Sequence, residues 1–330
     1  MAINLSEWGP KMNFSKILVA VIAAVSSNFA AAQTQWPAKP YRIIIGYPQG
    51  GAMDLIVRLG AERIQAKSGQ ALILESRTGA SGHLATEQVF KAAPDGYTLM
   101  VAPPAFVTTP FMFAELPFNP DTMVPITLLA SQPNVIAVNP GRLPDVHTLQ
   151  QLIDRARANP GKLNYGSPGN GGSGHLSMEL LKMLVGVDIL HVPYKGAAVL
   201  PAALSGEIDF LAYTSGTTAP HIRSGKLRAL AVGSARRLPG IDAPPAGDTV
   251  SGFDSGSWFV MIAPPAMSAA LAQRIHAEWN EALRTPEVTK RLTEAYVELL
   301  VAAPAETAAF IVKEKARWGE VIRKGGIKAD

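Results

Sequence analysis

The chain has 330 residues and a formal net charge of +4, with 30 basic residues against 26 acidic ones. Its basic residues are scattered rather than gathered in a run or on one helix face, so the excess does not indicate a nucleic-acid partner. The chain contains no cysteine, which excludes disulfide bonds and a lipid anchor on an N-terminal cysteine. Ordinary apolar cores must therefore hold it together, and its length is enough for two.

The first 32 residues have the order of a secretory signal peptide. Lys11 and Lys16 precede an apolar run at residues 17–25, and a stretch of small residues ends at Ala32. The run is shorter than the ~20 apolar residues that span a bilayer, and no later stretch approaches that length. We expect cleavage after Ala32, a mature protein in the periplasm, and no segment embedded in the membrane.

Residues 41–102 alternate between β and α patterns. The apolar, β-branched run at 41–46 predicts a strand, and the loop YPQGGAMD at 47–54 leads from it into a helix. A strand, a helix and a strand follow with short connections, at 71–75, 84–92 and 97–102. This order predicts a parallel sheet with helices on its faces.

The same order recurs over residues 163–213. A strand, a glycine-rich loop and a helix are predicted at 163–165, 166–174 and 175–184, followed by a strand, a helix and a strand at 188–192, 198–204 and 207–213. Two such units in tandem predict two similar lobes, each built on a doubly wound sheet. Ligands of open α/β sheets bind beyond the carboxyl ends of the strands, so two facing sheets of this kind predict a cleft.

Two further apolar stretches predict the connections between the lobes. Residues 124–138 follow the first unit as a strand that leaves the first lobe, and residues 257–263 have the pattern of the strand that returns. The lobes are therefore expected at 33–130 with 250–330, and at 131–249. Helical patterns at 269–284, 287–295 and 305–324 close the chain, and we expect them to pack on the first lobe.

The second loop contains Gly169, Gly171 and Gly174, a GxGxxG motif between a strand and a helix. Three interpretations are open: a dinucleotide site, a turn without a ligand, and an anion-binding loop. A dinucleotide site needs an acidic residue at the end of the next strand, where this chain has HVP at 191–193. We favour the anion-binding loop, because glycines let backbone N–H groups approach a ligand and the following helix N-terminus carries about half a positive charge.

The loop at 47–54 is the equivalent of the second loop in the first lobe. Two glycine loops at matching positions supply donors from both sides of a cleft, so a carboxylate that bridges them favours closure. Asp54, in the first helical turn, is interpreted first as a residue that stabilises the helix dipole. His175 either lines the cleft or caps and supports the loop, and Tyr213 either lines the cleft or belongs to the core.

Motifs for catalysis and metal binding are missing from the sequence. It has no GxSxG nucleophile elbow, and its six histidines lie far apart without HExxH or an i, i+4 pair. We therefore expect no catalytic residue, no metal and no cofactor. The alternative is an exported hydrolase, which a serine within hydrogen-bond reach of a histidine in the cleft would favour. A ligand sensor for a signalling partner is a third hypothesis.

Six segments of the mature chain match one known family in the same order. They are WPAKPYRIIIGYPQGGAMD, KAAPDGYTL, LNYGSPGNGGSGHL, HVPYKG, GEIDF and HIRSGKLRALAV. In these segments the chain resembles the Bug-type receptors of tripartite tricarboxylate transporters. The resemblance implies a type II periplasmic binding protein, with two α/β lobes joined by a two-strand hinge.

The same resemblance implies what such a receptor binds. Its ligand is a small carboxylate, held by backbone donors and ordered waters near residues 48–53, with the loop at 167–173 opposite. Its partner is a tripartite transporter with membrane subunits, and we expect a monomer. The candidate ligand-binding residues are Pro48, Gln49, Gly50, Gly51, Ala52, Met53, Asp54, Ser167, Gly169, Asn170, Gly171, Gly172, Ser173, His175 and Tyr213.

Three candidate residues depart from the family pattern. Gln49 stands where many members carry a second proline, and Met53 is bulkier than the usual Thr or Ser. Tyr213 falls where amino-acid-binding members often place an aspartate. Because a phenol cannot neutralise an ammonium group, we expect a di- or tricarboxylate or an aromatic acid rather than an amino acid.

Overall fold

The computed structural model describes residues 36–47, 49–78, 82–113 and 115–328, so the predicted signal peptide lies outside the described residues. Its strands are β1 (Tyr41–Ile45), β2 (Leu72–Ser76), β3 (Thr98–Ala102), β4 (Val124–Val138), β5 (Asn164–Ser167), β6 (Leu190–Pro193), β7 (Phe210–Thr214), β8 (Arg228–Val232), β9 (Gly256–Ala263) and β10 (Glu298–Ala302). Its helices are α1 (Ala52–Ser68), α2 (His83–Phe90), α3 (Ala105–Met112), α4 (Leu149–Ala158), α5 (Ser173–Val185), α6 (Val199–Ser205), α7 (Ser215–Arg223), α8 (Ala269–Leu283), α9 (Pro286–Glu294) and α10 (Pro304–Gly325).

Strand β4 is long enough to belong to two sheets. Its first part pairs with β9 and β10, and its last residues, from Asn134 on, pair with β7 and β8. The first sheet has the order β2-β1-β3-β9-β4, with β10 also on β4, and the second has the order β6-β5-β7-β4, with β8 also on β4. The predicted α/β fold with two sheets is confirmed, and β4 and β9 are the strands that connect them.

The predicted parallel pairing within each βαβαβ unit is confirmed. Strand β1 is parallel to β2 and β3, and β5 is parallel to β6 and β7, as the two βαβαβ units require. In contrast, β9 is antiparallel to β3 and β4 is antiparallel to β7. A strand that arrives from the other lobe enters at the edge where the carboxyl ends of the parallel strands lie, and so it runs in the opposite direction.

Five elements have no counterpart in the predicted order: α3, α4, α7, β8 and β10. Helices α3 and α7 contain Pro110 and Pro220, and a proline within a short segment obscures its helical pattern. Helix α4 begins with a capping box, in which Thr148 accepts from the amide of Gln151, and the T-x-x-Q spacing is a signal that sequence alone could have used.

Close packing of α1 on α8 holds the first glycine loop in place. A Cβ atom at Gly60 of α1 would lie 2.3 Å from the ring of Trp279, which is fully buried in α8. Only glycine allows this approach, because a side chain there would displace the indole. The loop itself is tied to the sheet by the hydroxyl of Ser76, which donates to the carbonyl oxygen of Tyr47 at 2.7 Å.

The C-terminal helix α10 contacts helices that belong to each of the two sheets. We expected it to pack on the first lobe. Its residues Trp318 and Ile322 share one apolar core with Leu176 and Leu180 of α5. Its buried Glu314 accepts hydrogen bonds from two indoles, those of Trp258 in β9 and Trp318, at 2.8 and 2.7 Å. Within the described part of the chain, no helix combines the length and apolar character needed to cross a membrane.

Candidate functional site

Six helices begin beyond the carboxyl ends of the parallel strands. Helices α1, α2, α3, α5, α6 and α7 follow β1, β2, β3, β5, β6 and β7, and none of their N-cap residues makes a side-chain hydrogen bond to the first turn. Helices α4, α8 and α9, which begin elsewhere, are capped by Thr148, Ser268 and Thr285. In the described residues, these side-chain caps are therefore missing at the edge where a ligand is expected, and bare first-turn amides favour an anion there.

The first loop presents backbone atoms to solvent. Gly50 and Gly51 are exposed, and Gly50 has φ 92°, a conformation that favours glycine. The first hydrogen bond of α1 runs from the amide of Leu55 to the carbonyl oxygen of Gly51, at 3.0 Å. The amides of residues 52–54 therefore have no acceptor within the helix.

The side chains of the first loop bond to α1 or are buried, rather than pointing into the cleft. Asp54 is 7 % exposed, and its two carboxylate oxygens accept from Nε of Arg58 at 3.1 and 3.0 Å. Arg58 also donates to Oε1 of Gln49, at 3.3 Å, and the side chain of Met53 is buried. Asp54 thus has a cation as its partner, while Pro48 lies outside the described residues.

The second loop uses most of its own glycine amides. The amide of Gly169 donates to Oγ of Ser167 at 3.3 Å, that of Gly171 to Nδ1 of His175 at 3.1 Å, and that of Gly172 to the carbonyl oxygen of Gly169 at 3.4 Å. The first hydrogen bond of α5 joins Leu176 to Gly172, at 3.0 Å. The donors without an acceptor inside the helix are therefore the amides at 173–175.

The N-terminus of α5 lies against the two strands that connect the sheets. Ser257 of β9 donates to the hydroxyl of Ser173 at 3.2 Å, and Ser173 lies 3.5 Å from Oδ1 of Asn134 in β4. The side-chain amide of Asn134 in turn donates to the hydroxyl of Ser177, at 2.7 Å. A ligand bound at Ser173 would therefore touch the connecting strands as well as the second lobe. Sequence analysis missed Asn134 and Ser257, because their role depends on tertiary pairing.

Two tyrosines from different sheets lie close to each other. Tyr47 follows β1, and Tyr213 lies in β7. Burial raises the pKa of Tyr47 to about 12, and the nearby phenol of Tyr213 adds to the shift; burial also raises the pKa of Tyr213. The side chain of Tyr47 is 38 % exposed. Both phenols are neutral hydrogen-bond donors at neutral pH.

The two lobes also meet at Met112 and Gly171. A Cβ atom at Gly171 would lie 2.4 Å from the sulfur of Met112, and Gly171 has φ 70°. Met112 ends α3, which follows the first-sheet strand β3, whereas Gly171 belongs to the second loop. Helix α3 therefore contacts the opposite lobe through a flexible side chain that sequence analysis did not single out.

Ser167 and His191 make the serine-histidine contact that would favour a hydrolase. The hydroxyl of Ser167 lies 2.7 Å from Nε2 of His191. However, Ser167 is fully buried, and its hydroxyl also bonds the carbonyl oxygen of Gly169, at 3.1 Å. A nucleophile must reach its substrate, so this buried pair is suited to holding the loop. Among the described residues, no group of three His, Cys, Asp or Glu side chains is placed to hold a metal ion.

The fold and the site define a two-lobed periplasmic binding protein of the type that encloses a small ligand between its lobes. Residues 56–327 match the tripartite tricarboxylate transporter family receptor. This protein belongs to that receptor family, which confirms the resemblance found in the sequence.

Relatives and solved structures agree with this assignment. A UPF0065 protein of Bordetella pertussis is 34 % identical over 85 % of this chain and 87 % of its own length. BugT of the same organism is 30 % identical over 96 % and 99 %. The structure of R. palustris Rpa4515 with adipate covers 90 % of this chain and 100 % of its own, with 30 % identity and a TM-score of 0.80. MatC from Rhodopseudomonas palustris with bound malate covers 87 % and 100 %, with 27 % identity and a TM-score of 0.73.

Replacing Gly51 by valine tests whether the first loop binds the ligand through its backbone. Gly51 has φ −90° and ψ −177°, which valine adopts readily, and a Cβ atom there meets nothing within 4 Å. We expect Gly51→Val to fold, as shown by circular dichroism, and to lose ligand binding in calorimetry because the side chain covers the loop amides. Gln49→Ala is the control and should cost about 1 kcal/mol or less of binding free energy. Full affinity in a folded Gly51→Val protein would place the ligand elsewhere.

The buried His175 makes stability depend on pH. Burial, followed by the neighbouring His191 and Lys182, lowers the pKa of His175 to about 3. An unfolded histidine binds a proton near pH 6.5, so the free energy of unfolding is greatest above that pH and falls as the pH drops toward 3. Between pH 6.5 and 5, we expect wild type to lose up to ~1.4 kcal/mol per pH unit more than His175→Asn. Parallel curves in denaturant titrations would contradict this.

Proposed function

We propose that this protein is a periplasmic solute receptor that binds a small organic carboxylate between its lobes and delivers it to a tripartite transporter. The observation that carries the proposal is the pair of helix N-termini, of α1 and α5, whose caps are glycines without side-chain acceptors. Such termini bind anions through N–H groups and the helix dipole. Two relatives hold adipate and malate, which supports an organic dicarboxylate here.

The proposed lobes are residues 33–130 with 250–330, and residues 131–249, and the proposed ligand contacts are residues 48–54 and 167–173 of the two loops together with Tyr213. The change of sheet along β4 supports the first boundary, because β4 pairs with β9 up to Pro133 and with β7 from Asn134. Export through the N-terminal signal peptide and a monomeric state belong to the same proposal. The membrane subunits of the transporter are the proposed partner.

The cleft is suited to carboxylates rather than to amino acids. Tyr47 and Tyr213 supply neutral hydroxyl donors, since the pKa of each is raised. The one acidic side chain of the first loop, Asp54, is already paired with Arg58. An ammonium group placed beside these phenols would lose its water without gaining an anion, and that desolvation is unfavourable.

A binding screen tests the receptor function together with the absence of catalysis. We expect the mature protein, from residue 33, to gain thermal stability with organic carboxylates including adipate and malate. The expected gain is ~2.7 kcal/mol at a hundredfold excess over Kd, and amino acids should give none. Mass spectrometry of the released ligand should show it unaltered after a stoichiometric incubation. A hydrolysed or oxidised product would contradict the receptor, and the absence of any stabilising carboxylate would reject the ligand class.

Closure of the lobes is the second expected outcome. A carboxylate in contact with both loops binds the closed state better, so it must shift the population toward that state. Small-angle scattering should show a smaller radius of gyration with saturating ligand than without it. Gly51→Val, which should not bind, serves as the control and should show no change. An unchanged profile for ligand-saturated wild type would reject the hinge mechanism while leaving binding itself intact.

A further inference from the structure

Two histidines determine the hydrogen bonds of the second loop. Nδ1 of His175 accepts the amide of Gly171 at 3.1 Å. Nε2 of His191 bonds the hydroxyl of Ser167 at 2.7 Å, and that hydroxyl bonds both the amide and the carbonyl oxygen of Gly169. Each end of the segment 169–171 is therefore fixed, directly or through Ser167, by one imidazole.

The two imidazoles also hold each other. Their rings stack with centroids 3.8 Å apart and planes within 11°, and the ring of Tyr165 also stacks on His191, at 4.8 Å. His175 is 5 % exposed, which favours the supporting one of the two roles that the sequence left open.

Burial and the neighbouring positive charges favour a neutral His175. On α5, Glu179 accepts from Lys182 and from the hydroxyl of Tyr165 in β5, at 2.7 and 2.8 Å, and its Oε1 lies 3.9 Å from Nε2 of His175. Lys328, beyond α10, lines the same side cavity as both histidines. The carboxylate of Glu179 is already bonded by Lys182 and Tyr165. It therefore offers little compensation for a positive charge on His175.

We propose that His175 and His191 are positioning residues for ligand binding: they fix the second glycine loop without touching the ligand. This inference rests on the proposed function. His175 accepts a hydrogen bond from the backbone amide of Gly171, so that amide is not available to a ligand. The first-turn amides of α5 are then the donors that the second lobe offers. The loop conformation then sets where those amides meet a carboxylate, and the neutral Nδ1 atom is the part of His175 that matters.

Substitutions by Asn and Gln separate this role from simple packing. An Asn side chain places its oxygen near the position of Nδ1 of the histidine that it replaces, whereas Gln places its amide near Nε2. His175→Asn therefore keeps an acceptor for Gly171, and His175→Gln does not. At position 191 the order reverses, because the bond to Ser167 uses Nε2: His191→Gln keeps a partner and His191→Asn loses it.

We expect opposite preferences at the two positions when folded variants are titrated with adipate and with malate. His175→Asn and His191→Gln should bind within about threefold of wild type, whereas His175→Gln and His191→Asn should weaken binding by about tenfold or more, the effect of an unsatisfied buried hydrogen-bonding group. The exposed His147, which is remote from the loop in sequence, is the matched control, and its Asn and Gln variants should both bind like wild type. Equal affinities for the Asn and Gln variants at position 175 would overturn the proposal.

A measurement without ligand distinguishes this inference from the proposed function. Amide hydrogen exchange of Gly171, followed by NMR, should be slow in wild type and His175→Asn, and at least about tenfold faster in His175→Gln. If wild type binds neither adipate nor malate, the ligand class fails, and unequal exchange would still support the assigned loop bonds. Equal exchange in the two variants would overturn those bonds, whatever the ligand result.

Discussion

The first turn of an α-helix carries N–H groups that have no acceptor within the helix. The proposed site of this protein depends on whether a side chain accepts hydrogen bonds from those groups. Helices α4, α8 and α9 receive a Thr or Ser cap, at Thr148, Ser268 and Thr285. Helices α1 and α5 begin with glycine caps instead. The backbone amides and the helix dipole therefore contribute positive electrostatic potential at both helix starts, and at α1 the guanidinium of Arg58 is already paired with Asp54.

The connecting strands β4 and β9 reach the start of α5. Strand β4 passes from one sheet into the other without interruption, and β9 runs antiparallel to it across the same region. Ser257 of β9 and Asn134 of β4 reach the start of α5 through Ser173. These side-chain bonds link the start of α5, one of the two proposed ligand-binding helix ends, to both connecting strands.

Local pattern was enough to predict the strands that build the lobes. Strands β4 and β9 were predicted within one residue of their observed bounds, because apolar runs between turn residues have few alternative structures. The position of both glycine loops followed from the strand order. Helices α3 and α7 escaped prediction because Pro110 and Pro220 lie within them. The antiparallel direction of β4 and β9 was not predicted, since local pattern does not show that a strand comes from another lobe.

Side-chain partners in the site were harder to predict than its location. The pair of Asp54 and Arg58 follows the i, i+4 rule of helices and could have been found from sequence. The bond from Gly171 to His175 and the contact of Met112 with Gly171 depend on the exact path of a glycine loop and on the placement of a second lobe. Neither contact produces a periodic pattern in the sequence, so only the three-dimensional structure shows them.

The two tryptophans that share the carboxylate of Glu314 provide a fluorescence signal that is sensitive to movement of β9. The indoles of Trp258 and Trp318 both donate to it, and Trp258 is the immediate neighbour of Ser257 in the strand that returns between the lobes. Bending at Ser257 would alter the distance or angle between Trp258 and this negative charge, and indole emission responds to such electric fields. Lobe movement could thus be followed through intrinsic fluorescence in the unlabelled protein, at the hinge itself rather than at the ligand.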